Sequence, residues 1–390
     1  MDGGRVRMAG MVDFAAHNED VREVWRRYHE GNPSRVPMII GTSVRFTLLD
    51  RSINETGADF ERFFNDPDVM FERHLFHQWW IRHHLPQDAE MGLPEAWTVS
   101  VDFQNSYEAM WFGAPIRYFA DDVPDCPPIV TDENKWTFID HGPPEPFSGW
   151  MGRAWEYWEY FREKARSYEY RGRPVHVGGV PGCGTDGPFT TACALRGATE
   201  ICLDMYADPD FYHALMTLIV DATIGRMRAF RKRLGVPVDS TVWGFADDSI
   251  QLLSTRTYEE LVLPYHERLT AEFGAEGPNS VHLCGDATRH FRVIRDRLKV
   301  NSFDTGFPVD FGALRADLGP DVQIYGGPPV ALLLSGTPQA IRQEVRRILG
   351  TGVTEGGRFV LREANNLAPG TPMANVAAMY DACKEFGRYE

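Results

Sequence analysis

His282-Leu283-Cys284-Gly285 brings together two side chains that ligate metal ions. The tetrad follows the polar run 276–280 and the apolar Val281, as at a strand emerging from a turn. Strand side chains alternate with period two. His282 and Cys284 therefore point to one side, about 6.6 Å apart along the strand. An imidazole and a thiolate so placed suit a single zinc ion. A packed, hydrogen-bonded histidine and cysteine have the same spacing, and a catalytic zinc normally takes three protein ligands.

Other chemistry-bearing residues cluster where strand-like runs end. Asp102 is followed by Gln104 and Asn105; Asp247 and Asp248 are adjacent; Asp304 closes a further run; Arg362-Glu363-Ala364-Asn365-Asn366 closes the last. Two adjacent carboxylates repel unless something positive or protonated lies near, so Asp247 and Asp248 join Asp102 and Asp304 as catalytic candidates. Each acid has a plainer reading as a helix cap, and Asp186, flanked by glycine, reads as a turn former. Asp304 could complete a metal site, act as a base or orient His282. Trp243, Asn105 and Asn365 are the candidates for contact with a bound cofactor. The glycine-rich loops at 182–187 and 326–327 allow close backbone approach to a ligand. There is no GxGxxG, Walker or GxSxG motif, so neither nucleotide binding nor serine hydrolysis is indicated.

The elements that must position these residues alternate. Strands are expected at 36–41, 97–101, 174–180, 241–246, 280–284, 301–305, 322–325 and 358–361. Helices are expected at 13–30, 198–205, 209–234, 256–273, 288–299, 311–318, 337–349 and 372–387. Parallel strands need crossover connections, so this α/β rhythm predicts a parallel sheet, and eight units predict a (β/α)8 TIM barrel. An open doubly wound sheet is the alternative. The helix at 13–30 makes an N-terminal extension. The stretch 120–173 reads as an insertion or lid: it is rich in Pro and Gly, then densely aromatic from Trp136 to Phe161. Its rings cannot all share one helix face, so either it is buried on two sides or some rings line a cavity. The whole chain reads as a single domain, 1–390.

The chain has 390 residues, 43% of them hydrophobic, enough for a large core, and a net charge of −15. Without a basic face, nucleic acid is not an expected partner. No apolar run approaches the ~18 residues of a membrane span, and residues 1–11 lack the apolar core of a signal peptide. A cytoplasmic protein with six reduced cysteines is expected.

Several stretches together resemble the uroporphyrinogen decarboxylase superfamily, which includes corrinoid- and zinc-dependent methyltransferases of the methylcobalamin:coenzyme M type. They are GTDGPFTTACALRG (184–197), FADDSIQLLSTRTYEELVLPYHERL (245–269), VHLCGDATRHF (281–291), LSGTP (334–338) and PGTPMANVAAM (369–379). The resemblance covers about the last 210 residues and implies a (β/α)8 barrel. Decarboxylases of this group carry an arginine motif of the form RQAGR after the first strand. Here the stretch is Gly41-Thr42-Ser43-Val44-Arg45, which matches only its last arginine. Asp102, or Asn105, matches the decarboxylase aspartate. The methyltransferases hold zinc with a His-x-Cys pair, matched by His282 and Cys284, and a distant cysteine, whose place falls at Asn365. Asp304 or Glu363 would then be the replacement ligand.

The resemblance thus implies a zinc-dependent methyltransferase or O-demethylase. It would exchange a methyl group between a small-molecule substrate and a corrinoid (cobalamin) on a partner protein, in a chain that self-associates, as a homodimer. A metal-free lyase acting on a small carboxylated substrate through Asp102 and His282 is the second reading. A non-catalytic ligand-binding barrel is the third.

Overall fold

A computed structural model describes residues 13–238 and 242–389. Residue 241, the first of the strand expected at 241–246, and the N-terminal stretch 1–11 lie outside the described residues. Eight strands form among the described residues: β1 Trp97–Val99, β2 Glu169–Tyr170, β3 Arg173–Val177, β4 Gly244–Ala246, β5 Asn279–Leu283, β6 Val300–Thr305, β7 Gln323–Gly326 and β8 Phe359–Leu361. β4 to β8 form one parallel sheet in chain order; β1 and β3 pair in parallel, with β2 antiparallel on the far edge of β3. With helices between successive parallel strands, the class is α/β, as expected.

The run 36–41 forms a bridge rather than a full strand. Met38 pairs in parallel with Leu361, Ile39 N–H donates to Leu361 O (3.0 Å), and Leu361 N–H donates to Pro37 O (2.9 Å). Pro37 has no N–H to extend this ladder. On its other side the run meets residues 87 and 88, where Asp88 N–H donates to Met38 O (2.7 Å) and side chains take the remaining bonds. Met38 N–H donates to Asp88 Oδ2 (2.7 Å) and Ile40 N–H to Gln87 Oε1 (2.8 Å). No ladder joins β3 to β4 among the described residues. Hydrogen bonds join β8 to the first run, but among the described residues no ladder links that run to β1 or β3 to β4, so the strand pairing does not run continuously round the barrel.

Alternation sets the layers. Phe245, Val281, Phe303 and Ile324 are buried on the outer face of their strands. There Phe245 meets His266 and Phe303 stacks on Phe291, both from surrounding helices. The opposite face turns Ala246, His282, Asp304 and Tyr325 into the bore. The expected helix 256–273 divides at Val262 into Thr255–Leu261 and Leu263–Phe273; Pro264 cannot donate the N–H that would carry it through.

The aromatic segment does both: Phe138 lines a separate cavity beside Phe112 and Pro143, and the later rings are buried on two sides. Helix Gly149–Ala165 lies in the crossover from β1 to β3 and buries Trp155, Tyr157 and Phe161. Trp155 packs on Phe230, Tyr157 on Phe103 and Phe161 on Phe71. These rings build core. The N-terminal helix forms as Phe14–His29, capped by the Asp13 carboxylate. Residues 34–36 meet the stretch just past helix Met373–Phe386: Val36 N–H donates to Gly387 O (2.8 Å) and Tyr389 N–H to Ser34 O (3.1 Å).

Candidate active site

Strand register decides the central contact. His282 on β5 pairs with Asp304 on β6, and both project inward. The His282 Nδ1–H donates to Asp304 Oδ2 at 2.7 Å, and Nε2 lies 3.0 Å from Cys284 Sγ. Arg362, just past β8, donates to the same Asp304 oxygen. Burial by itself would lower the His282 pKa; the hydrogen bonds to Asp304 and Cys284 outweigh it and push it up to about 10. Burial raises the Cys284 thiol, and His282 only partly offsets this. Gly285 turns the chain at a φ of +77°, and a Cβ there would overlap the Gln251 side chain. The glycine of the tetrad is thus required by its backbone conformation, while the Gln251 side chain could swing aside.

Of the two adjacent acids, only one reaches this cluster. Asp248 Oδ1 accepts from the Cys284 N–H at 2.7 Å. One ligand atom each from Asp248, His282 and Cys284 lie within 4.8 Å of one another. Asp247 points the opposite way. It is wholly buried, accepting from Phe189 N–H (3.0 Å), Thr190 N–H and hydroxyl (2.7 Å each) and His266 Nε2 (2.8 Å). It caps helix Pro188–Arg196 from another element, and the expectation that it is catalytic is corrected accordingly: no oxygen is free and it lines neither central cavity.

The mouth of the barrel is a cavity of about 520 Å³ that takes in Asp102, Asp186, Asp248, His282, Cys284 and Arg45. Asn105 and Asn365 line it too. Asn365 carries an unusual φ of 125°. Asp102 accepts from both the backbone and the side chain of Gln104 at 2.7 Å, which fixes its carboxylate in a tight turn. Trp243 does not reach the site. It is buried before β4, stacked on Phe245 and against Phe273, so its expected cofactor contact is corrected to core packing. Glu363, offered as a replacement ligand, is fully buried and accepts from the Gly41 N–H at 2.9 and 3.0 Å.

Sequence reasoning passed over several residues. Asp186 has one oxygen sealed from solvent without a partner. Burial, then the neighbouring Glu108 and Asp248 carboxylates, push its pKa well up from the ordinary carboxyl value. Its loop is fastened from behind: Glu108 accepts from Thr185 Oγ1 (3.1 Å), Asp186 N–H (2.8 Å) and the buried Arg226 (2.7 Å). Tyr107 and Arg362 line the bore. Arg362 was legible as a strand-end polar residue; Glu108 and Arg226 lie in helices, with no local signal.

The sequence profile of the family described as uroporphyrinogen decarboxylase matches residues 106–386. The chain belongs to that family. A methylated-thiol–coenzyme M methyltransferase from Methanosarcina mazei is 31% identical over 202 residues, 51% of each chain. A uroporphyrinogen decarboxylase from Rhodococcus erythropolis is 32% identical over 186 residues, 46% of this chain and 50% of the relative. The chain thus spans about half the length of the curated relatives it matches. A solved methyltransferase structure from Methanosarcina mazei superposes with a TM-score of 0.59 at 16% identity, covering 94% of this chain and 98% of that one. That likeness carries the barrel fold. No helix among the described residues is long and apolar enough to cross a membrane.

Proposed function

We propose that this chain is a zinc-dependent methyltransferase or demethylase of the uroporphyrinogen decarboxylase superfamily. It exchanges a methyl group between a small substrate and a corrinoid on a partner protein. The observation that carries the reading is His282 held between Asp304 and Cys284, with Asp248 in reach of the same point. The donor set fits zinc: one nitrogen, one sulfur and one oxygen, with a fourth position left for substrate. The relatives' distant cysteine position, Asn365, is replaced here by Asp248 as third ligand. The matching methyltransferase names among relatives support the class of reaction.

A zinc ion held there supplies Lewis acidity and favours the thiolate form of a bound thiol. The chain's own groups do the rest. Asp304 keeps the proton on His282 Nδ1, which turns Nε2 toward Cys284 and Asp248. Arg362 neutralises Asp304. Asp186 faces the mouth: protonated, it gives a proton to the substrate atom that the methyl group leaves; ionised, it takes that proton in the reverse direction; Asp102 positions the substrate across the cavity.

One observation favours the lyase reading. Arg45 and Asp102 share the mouth, and Arg45 has no ion pair among the described residues, so it is free to grip a substrate carboxylate. Metal analysis separates the two. The purified chain titrated with zinc should bind about one ion, and Cys284→Ser and Asp248→Asn should each weaken it at least tenfold. A wild-type chain that binds no zinc leaves the lyase reading in place.

A further inference from the structure

Barrels of this architecture normally fill their interior with layers of bulky branched side chains. The layer below His282 is empty by comparison. Gly244 is in register with Ser280, and Ser280 with Ser302. Three neighbouring strands therefore turn only a hydrogen and two hydroxymethyl groups into the bore. The space left is a cavity of about 530 Å³ that adjoins the mouth cavity at Tyr107, Ala246 and His282. Gly244 and Ser280 are exposed to it although their strand neighbours Phe245 and Val281 are buried. Neither serine hydroxyl has a protein hydrogen bond among the described residues.

The charges on this wall are already matched. Asp304 Oδ2 takes both His282 and Arg362, and Arg362 also reaches Glu363, while Asp304 Oδ1 is sealed without a partner. An anionic ligand finds no free cation and meets that bare carboxylate oxygen, and burying its charge unpaired is costly. What the wall offers is hydroxyl groups from Ser280, Ser302 and Tyr325, with ring surface from Tyr107 and Tyr325. The volume falls in the range of small-molecule sites.

We propose that the chamber below His282 binds the non-reacting body of the substrate, and that this body is a small uncharged ring molecule bearing hydroxyl or ether oxygens. Calling the ligand a substrate rests on the methyl-transfer reading; its binding in the chamber does not.

The test uses the full chain and 2-methoxyphenol as the probe, with 2-methoxybenzoate as its charged counterpart, in calorimetric titrations. The expected Kd for 2-methoxyphenol is about 1 mM, from the affinity a ligand of that size can reach. Ser302→Leu fills the chamber and should weaken it at least about tenfold, while Ser302→Ala, which keeps the space, should weaken it less. Ser280→Leu, from the next strand, gives the same reading if the first variant does not fold. The benzoate should bind at least about tenfold more weakly than the phenol. Saturable binding absent from the wild type, unchanged binding in a leucine variant, or equal binding of the benzoate overturns the proposal. Cys284→Ser separates the two ideas. Loss of zinc with 2-methoxyphenol binding intact supports both. Retention of zinc with the same binding intact sinks the metal reading and leaves the chamber. Loss of 2-methoxyphenol binding places the ligand at the mouth and overturns the chamber.

Discussion

Asp304→Asn tests how the proposed metal site is tuned. The carboxylate accepts the His282 Nδ1–H at 2.7 Å and also pairs with Arg362. A carboxamide keeps the shape and an acceptor oxygen but removes the charge. Loss of such an outer partner typically costs 10–100-fold in metal affinity, or about 1.4–2.8 kcal/mol. Proton competition works in the opposite direction. With His282 pushed up to about 10, zinc must displace a proton from Nε2 throughout the neutral range. Asp304 is one of the groups that hold that proton, so the variant's imidazole titrates lower and zinc meets less competition near pH 7. The ratio of wild-type to variant affinity should therefore grow with pH, and the full loss should be seen only near pH 10. The Cys284 proton competes in both proteins and largely cancels in the ratio. Chelator-competition titrations between pH 6.5 and about 9.5 measure it. A ratio that is flat with pH, or undiminished affinity at the alkaline end, refutes the assigned role of Asp304.

Three further substitutions probe the frame around the site. Asp247→Ala removes a buried cap and should cost about 2–4 kcal/mol in urea unfolding while leaving zinc affinity unchanged; equal stability would contradict its structural role. Glu108→Ala strands the wholly buried Arg226 and should cost about 3–5 kcal/mol, with loss of order in the Asp186 loop seen by amide exchange; a stable variant with a protected loop would refute the latch. Burial pushes Glu363 up to about 8 from 4.5. A carboxyl raised in the folded state contributes stability that is complete below pH 4.5 and is lost as pH rises toward 8. Glu363→Gln should flatten that decline, worth at most about 5 kcal/mol; parallel pH curves for the two proteins would show the side chain to be ionised.

The fold was legible because its signals are periodic. β5, β6 and β7 fall within about a residue of the runs expected at 280–284, 301–305 and 322–325. The alternation that put His282 and Cys284 together also brought Asp304 into register from β6. The same rule, carried through β4, separates Asp247 from Asp248: Gly244, Ala246 and Asp248 share the inward face, and Asp247 must point outward. Local turn chemistry hid Asp186, since an aspartate beside glycine reads as a turn former whether or not it faces a cavity. Glu108 and Arg226 meet across 118 positions of sequence, a tertiary pairing that no local pattern encodes. Trp243 was misplaced for a simpler reason: it precedes β4, at the opposite end from the mouth. The run at 36–41 looked like a strand by composition, but Pro37 and the side chains of Gln87 and Asp88 take over its hydrogen bonding.

The pairing of residues 34–39 with residues 361 and 387–389 bears on how the protein is made. The run that starts the barrel finds its backbone partners at Leu361 and Gly387. At translation rates of about 5–20 residues per second, those partners emerge on the order of tens of seconds later. Through that interval Val36, Met38 and Ile40 have no ladder to join, and the apolar edge they present invites association with other nascent chains or capture by a chaperone. Pairing of the first run therefore waits on the synthesis of β8 and the residues after the last helix, whatever the order in which the earlier units fold.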